Sequence, residues 1–298
     1  MAHVHKYLVP EAVSKLSNIS IIARTVVEGF ITGLHKSPYK GFSVEFAEHR
    51  EYTQGDDVRH LDWRVYARTD RYHIKQYEEE TNLRTYLLLD TSNSMAYSSS
   101  GKLSKLEYGC YLAASLAYLV IHQQDSAGLV VFDTKIRNYL APKSSPTHLK
   151  QILIELDKTL GQGGTEIGQS FHDLTEMLRR RGLIVVISDL LDETKNVLQG
   201  LVHFRHKRHE VVVFHVLDPF EVDFPFERMT QFVDMETDER IQIDPRALRQ
   251  EYLANFNEFV NTYKKAFADN DIDYQMIRTD TPFEQALAAY LTKRARLG

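Results

Sequence analysis

Asp90, Ser92 and Ser94 stand at alternate positions just after the apolar run Thr85–Leu89. An extended or turning loop with that spacing can aim three oxygens at one point. Two further loops carry similar donors. Thr165 lies in the glycine-rich stretch Gly161-Gln162-Gly163-Gly164-Thr165-Glu166, and Asp189 follows a second apolar run, Leu183–Ile187. All five donors are carboxylate or hydroxyl oxygens. Such a set suits a hard divalent cation, with Mg²⁺ or Mn²⁺ favoured over zinc and Ca²⁺ not distinguished from them. The glycines at 161, 163 and 164 let the middle loop come close to an ion. Ser, Thr and Asp after a strand are also ordinary helix caps. A lone Asp-x-Ser-x-Ser does not separate the two readings, but three loops with matching donors favour the cation.

The elements that must position these loops are legible as alternating runs. Strand-like segments are Thr85–Leu89, Gly128–Phe132, Leu183–Ile187, Val211–Val216 and Asp273–Ile277. Helix-like segments are Lys105–His122, Thr147–Thr159, Ile167–Arg180, Thr194–His206, Pro245–Asn270 and Pro282–Arg294. Apolar strands alternating with long helices predict an α/β fold with a mainly parallel sheet and helices on both faces. Gly128–Phe132 is followed at once by Asp133-Thr134-Lys135 and Ile136–Leu140, which predicts a hairpin and hence one antiparallel edge strand. In open sheets of this class ligands bind beyond the carboxyl ends of the strands, where Asp90 and Asp189 fall. Upstream, Pro10 and the spacing of Val13, Leu16, Ile19, Ile22 and Val26 predict a helix ending near Gly33. Residues 41–80 are dense in charge and aromatics, with short strands at Ser43–Ala47 and Tyr72–Tyr77.

Composition narrows the function. The 298 residues carry 36 Lys and Arg against 41 Asp and Glu, a formal charge of −5, which gives no reason to expect phosphate-backbone binding. The segment containing Arg50, Arg59, Arg64, Arg68 and Trp63 has a basic-aromatic texture. It is balanced by Glu45, Glu48, Asp56, Asp57 and Asp62, which fits an internal salt-bridge network or a protein-binding face better than a nucleic-acid site. The one cysteine, Cys110, excludes an intrachain disulfide and reads as core. No run is long enough to span a membrane, and no signal peptide is read at the N-terminus, so the expected location is the cytoplasm.

The combined motifs resemble a known family. Asp90-x-Ser92-x-Ser94, Thr165 in its glycine-rich loop and Asp189 after a later strand are similar to the metal-ion-dependent adhesion site of von Willebrand factor A domains. Upstream, Gly41-x-Ser43-x-Glu45-Phe46-Ala47-Glu48-x-Arg50-x-Tyr52 precedes Gly55-Asp56-Asp57-x-Arg59-x-Leu61-Asp62-Trp63-Arg64 and Ala67-Arg68. This segment resembles the signature of the bacterial family called domain of unknown function 58, whose members couple it to a von Willebrand A-like domain. The resemblance implies a Rossmann-like domain over residues 81–298, with residues 1–80 packed on it. It implies a cation held by Asp90, Ser92, Ser94 and Thr165, with Asp189 bound directly or through water. Many A domains have Thr-Asp-Gly on the third loop where this chain has Ser188-Asp189-Leu190, so Asp192 is kept as a substitute for Asp189. The resemblance further implies a non-enzymatic protein-binding module, monomeric or weakly associating. Its expected partner is a MoxR-type AAA+ ATPase or that enzyme's client, in complex assembly or chaperoning.

The competing reading is a metal-dependent phosphoester hydrolase using Asp90. Phosphatases of the haloacid dehalogenase type need a second Asp two residues on, where this chain has Ser92. No phosphate-binding P-loop and no Gly-x-Ser-x-Gly is present. His122, His172 and His215 are the candidate bases, although each reads more simply as a helix-face or strand-end histidine with no special role.

Overall fold

A computed structural model of the chain describes residues 43–53, 61–80, 84–99, 103–159, 171, 174–175, 177–178, 180–235 and 239–282. The expected N-terminal helix, Asp56, Asp57, Arg59, the loop bearing Thr165, His172 and nearly all of the last expected helix lie outside these residues. The described residues fall into two compact units, one within 35–83 and one from 84 onward.

In the smaller unit, β1 (Ser43–Glu51) pairs antiparallel with β2 (His73–Glu80), with a register shift between Phe46 and Glu48. Between them lies α1 (Trp63–Thr69). Asp62 starts this helix by accepting the backbone N–H of Arg64 at 2.9 Å and of Val65 at 3.3 Å. Those two bonds satisfy orphan donors of the first turn, as a capping carboxylate does.

The larger unit is built on a six-stranded sheet. Its strands are β3 (Arg84–Asp90), β4 (Ser126–Phe132), β5 (Ile136–Lys143), β6 (Leu183–Ser188), β7 (Glu210–Leu217) and, late in the chain, β10 (Asp273–Arg278). The spatial order is β10-β7-β6-β3-β4-β5, parallel throughout except for the β4–β5 edge hairpin. The helices joining them are α2 (Lys105–His122), α3 (Pro146–Lys158) and α4 (Thr194–His206). A short α5 (Pro219–Asp223) leads into a small hairpin, β8 (Thr230–Val233) and β9 (Arg240–Ile243), and then α6 (Pro245–Asp269). The mainly parallel α/β architecture with one antiparallel edge strand is therefore the one the sequence predicts. The β8–β9 hairpin and α5 are additions to it.

Residues on the central strands alternate between two buried faces. Tyr86 and Leu88 of β3, Ile184 and Val186 of β6, and Val211 and Val213 of β7 pack with Val197, Leu201 and Phe204 of α4 and Tyr263 and Phe267 of α6. The intervening residues face α2. A methyl group on Gly109 of that helix would lie 3.0 Å from Leu89 Cδ1 and 3.2 Å from Ile187 Cγ2. The absent side chain thus lets α2 sit tightly on the sheet directly behind the ends of β3 and β6. Cys110 is buried beside it, and burial pushes its thiol up to about 12, consistent with a core residue. No helix among the described residues is long and apolar enough to cross a membrane.

Candidate functional site at the carboxyl ends of the central strands

Asp90 ends β3, which lies between β6 and β4 in the interior of the sheet, and is fully buried. The chain leaving it is pinned at once. Thr91 donates both its N–H, at 2.8 Å, and its hydroxyl, at 3.0 Å, to the carbonyl of Phe132 at the end of β4. The next residues turn into a short 3-10 helix, Asn93–Ala96, anchored by the buried Met95. One oxygen of Asp90 accepts the Ser92 N–H at 2.9 Å; the other accepts the Ser188 hydroxyl at 2.6 Å. The Ser92 and Ser94 hydroxyls meet at 3.0 Å. The alternate spacing of Asp90, Ser92 and Ser94 therefore does bring two hydroxyls together beside a buried carboxylate. Burial first, and then the neighbouring charge of Asp189, push the Asp90 carboxyl up to about 7; its hydrogen bonds from Ser188 and Ser92 act against this.

Asp189 is also fully buried but is directed elsewhere. Its Oδ2 accepts Lys105 Nζ at 2.7 Å, and its Oδ1 accepts the Leu191 N–H at 3.2 Å. Lys105 in turn reaches Glu221 Oε1 at 2.6 Å. Its side chain has no exposure, so the ammonium is held between two carboxylates away from water. Burial works against the charged ammonium, but Asp189 and Glu221 outweigh it and hold its pKa above the ordinary value. Glu221 belongs to α5, where it closes a capping box by accepting the Asp218 N–H at 2.8 Å. Asp218 also accepts the Ser99 N–H at 3.0 Å. One buried cation thus ties the loop after β6 to the first turn of α2 and to α5 after β7.

Leu190 follows Asp189 with a φ of 54°, a left-handed conformation costing roughly 1–2 kcal/mol for a residue with a side chain. Its own side chain is fully buried, which returns about 1.5–3 kcal/mol, and its carbonyl accepts the Tyr263 hydroxyl at 3.2 Å. The departure from Thr-Asp-Gly therefore leaves the backbone in the conformation glycine favours. Burial of the leucine offsets the strain.

Asp192 accepts the N–H of Glu193 at 2.6 Å. Thr165 lies outside the described residues. Among the described residues no three His, Cys, Asp or Glu side chains gather as a metal cluster, so a cation here would need hydroxyl or water oxygens beside Asp90.

Lys105, Ser188 and Glu221 were not anticipated from the sequence. A signal existed for Lys105. A cation in the first turn opposes the helix dipole, and here it is the first residue of a mostly apolar helix.

Neither His215 nor His122 is placed as a base for a hydrolase at Asp90. His215 Nε2 lies 2.8 Å from the Asp189 carbonyl, which can only accept, so that nitrogen carries the proton. Its Nδ1 then accepts the Tyr274 hydroxyl at 2.7 Å. Burial lowers the ring's pKa to about 4, so it is neutral at physiological pH with both nitrogens engaged. His122 ends α2, whose first residue is Lys105; at 1.5 Å per residue it lies roughly 25 Å from that end.

Beside Ser94 opens an apolar cavity of about 400 Å³, walled by Phe224, Phe226 and Phe232 and edged by Leu191, Val233 and Met235. All of these residues belong to the larger unit.

Several proteins are similar to this chain. Two are uncharacterized proteins, Rv1480 of Mycobacterium tuberculosis and Mb1516 of Mycobacterium bovis. Each is 28% identical over 249 residues, covering 82% of this chain and 77% of the relative. Among solved structures, the conserved hypothetical protein BatB from Bacteroides thetaiotaomicron aligns with a TM-score of 0.46 at 18% identity, over 72% of this chain and 99% of its own. An aerotolerance-related membrane protein from Bacteroides fragilis gives 0.44 at 21%, over 69% and 96%. The SpRpn10 VWA domain gives 0.37 at 11%, over 70% and 94%. Residues 48–259 match the model of the family described as protein of unknown function DUF58, and the chain belongs to that family.

Proposed function

We propose that this chain is a non-enzymatic protein-binding module that uses a divalent cation to capture a partner's carboxylate. Asp90, Ser92 and Ser94 would hold the ion, with Thr165 from the glycine-rich loop and Asp189 through water. When bound, the ion would supply a positive centre with fewer anionic ligands than it accepts, and so attract an external carboxylate. The observation that carries this reading is the buried Asp90 carboxylate, desolvated beside Asp189, with two serine hydroxyls converging next to it. All these donors are hard oxygens, as Mg²⁺ or Mn²⁺ prefers.

The engagement of Asp189 by Lys105 supports a water-mediated role for that residue. Asp90 is held by the neutral donors Ser92 and Ser188 instead, so an ion there would meet no competing internal cation from those partners, and one carboxylate favours modest affinity and dependence on a partner's charge. The partner suggested by the family resemblance is a MoxR-type AAA+ ATPase or its client.

The test is a capture experiment with wild type and Asp90→Ala side by side, in Mg²⁺ and in chelator, paired with calorimetric titration of Mg²⁺ and Mn²⁺. The reading requires partner recovery that needs both the metal and Asp90. Equal recovery under all four conditions would remove it.

A further inference from the structure

The cavity beside Ser94 gives the proposed partner a second chemical requirement. We propose that it receives a bulky apolar side chain of a partner polypeptide whose nearby Asp or Glu reaches the cation, an inference that rests on the cation-site reading. Ser94 belongs both to the hydroxyl pair next to Asp90 and to the cavity wall, so the two sites are contiguous. Leu191, two residues after Asp189, lines the same opening.

The cavity has the character of a binding site. Phe224, Phe226 and Phe232 pack edge to face or stacked at centroid distances of 5.1–5.8 Å, giving it a built aromatic wall. Its rim carries large apolar side chains that stand in solvent: Leu191 is 44% exposed, Val233 45% and Met235 39%. Contiguous exposed apolar surface of this kind marks interaction sites. Its volume of about 400 Å³ is in the range of ligand pockets.

Charge selects the occupant. Asp234 and Glu221 both line the cavity; the two oxygens of Glu221 are taken by Lys105 and the Asp218 N–H. That carboxylate is therefore committed to its internal partners, and the aromatic wall favours an apolar group. A dication held at the adjoining site would call for an anion. A segment pairing a carboxylate with a Phe, Leu or Met a few residues away meets both demands.

The probe is a set of fluorescent hexapeptides in a Gly-Ser background. Each carries one Asp and one Phe at varied separation, with Asn-for-Asp and Ala-for-Phe controls. Anisotropy is read in Mg²⁺ and in EDTA, on wild type, Val233→Glu and Asp90→Ala, with Mg²⁺ binding measured on each. At the favoured separation, Ala-for-Phe is expected to weaken binding about tenfold or more. Val233→Glu, at an exposed position on the hairpin, is expected to erase that difference while leaving Mg²⁺ binding intact. If Mg²⁺ and Asp still matter but Phe and Ala peptides bind alike, the cavity inference is overturned and the cation reading stands. If no Mg²⁺ binds, both fall. A concentration-dependent dimer of the wild type, abolished by Val233→Glu, would assign the cavity to a second copy of this chain and overturn the proposal.

Discussion

Replacing Lys105 with Met would remove the ammonium and keep most of the apolar stem. Two carboxylates then lose their shared cation inside the protein: Asp189, with no side-chain exposure, and Glu221, with 19%. Removing one member of a buried ion pair costs roughly 3–5 kcal/mol, and each charge-assisted hydrogen bond is worth roughly 1.5–3. Both carboxylates keep a backbone donor, Leu191 N–H for Asp189 and Asp218 N–H for Glu221. The expected loss is therefore about 4 kcal/mol near pH 8, less than the roughly 5–15 kcal/mol that holds a domain together. Urea unfolding followed by circular dichroism, in chelator, measures it. The loss should shrink on acidification. Burial already raises the Glu221 pKa with Lys105 present, and without Lys105 the opposing attraction is gone. A group whose folded pKa is raised burdens the fold at high pH and is relieved as pH falls through that pKa. The triple variant Lys105→Met/Asp189→Asn/Glu221→Gln should recover most of the loss, because no buried charge is left unpaired. A Lys105→Met penalty below about 1 kcal/mol, or one unchanged between about pH 8 and pH 5, would refute the view that this ammonium holds the three segments together.

Three further expectations concern the same loops. Asp90→Asn in chelator should be more stable than wild type by on the order of 2–4 kcal/mol near pH 8, since it removes a buried carboxylate raised from 3.8 to about 7; in thermal melts the gain should fade towards pH 4, and with it any stabilisation by Mg²⁺ should be absent. His215, lowered from 6.5 to about 4, acts in the opposite sense, because the unfolded state binds the proton first as pH falls through that window; Asp90→Asn should therefore lose stability on acidification, by up to about 1.4 kcal/mol per pH unit, and Asp90→Asn/His215→Gln should lose less in the same urea titrations. At position 190 the usual order of small residues should invert: Leu190→Ala keeps the left-handed strain and opens a cavity, so calorimetry should find it about 1 kcal/mol less stable than Leu190→Gly, although both fall below wild type.

The sheet was legible because parallel strands buried on both faces are written as unbroken apolar runs, such as Tyr86–Leu89 and Leu183–Ile187. The β8–β9 hairpin was not, because each strand has only four residues and its apolar side chains, Val233 and Ile241 among them, remain exposed. Helix α5 carried a readable mark, Asp218-Pro219-Phe220-Glu221, the spacing of a capping box with Pro in the first turn. The site divides in the same way. The convergence of Ser92 and Ser94 follows from alternate spacing within one short loop, which a sequence displays. The pairing of Lys105 with Asp189 and Glu221 joins residues 84 and 116 positions apart, which no local pattern encodes. That distinction bears on how the site would work. The locally encoded part offers oxygens, whereas the tertiary network fixes how much charge stays with them. The fold commits Asp189 to an internal ammonium, whereas the buried Asp90 is held by the neutral donors Ser92 and Ser188. A site so arranged would bind its ion weakly alone and more tightly with a partner's carboxylate, which is the behaviour required of a conditional docking point.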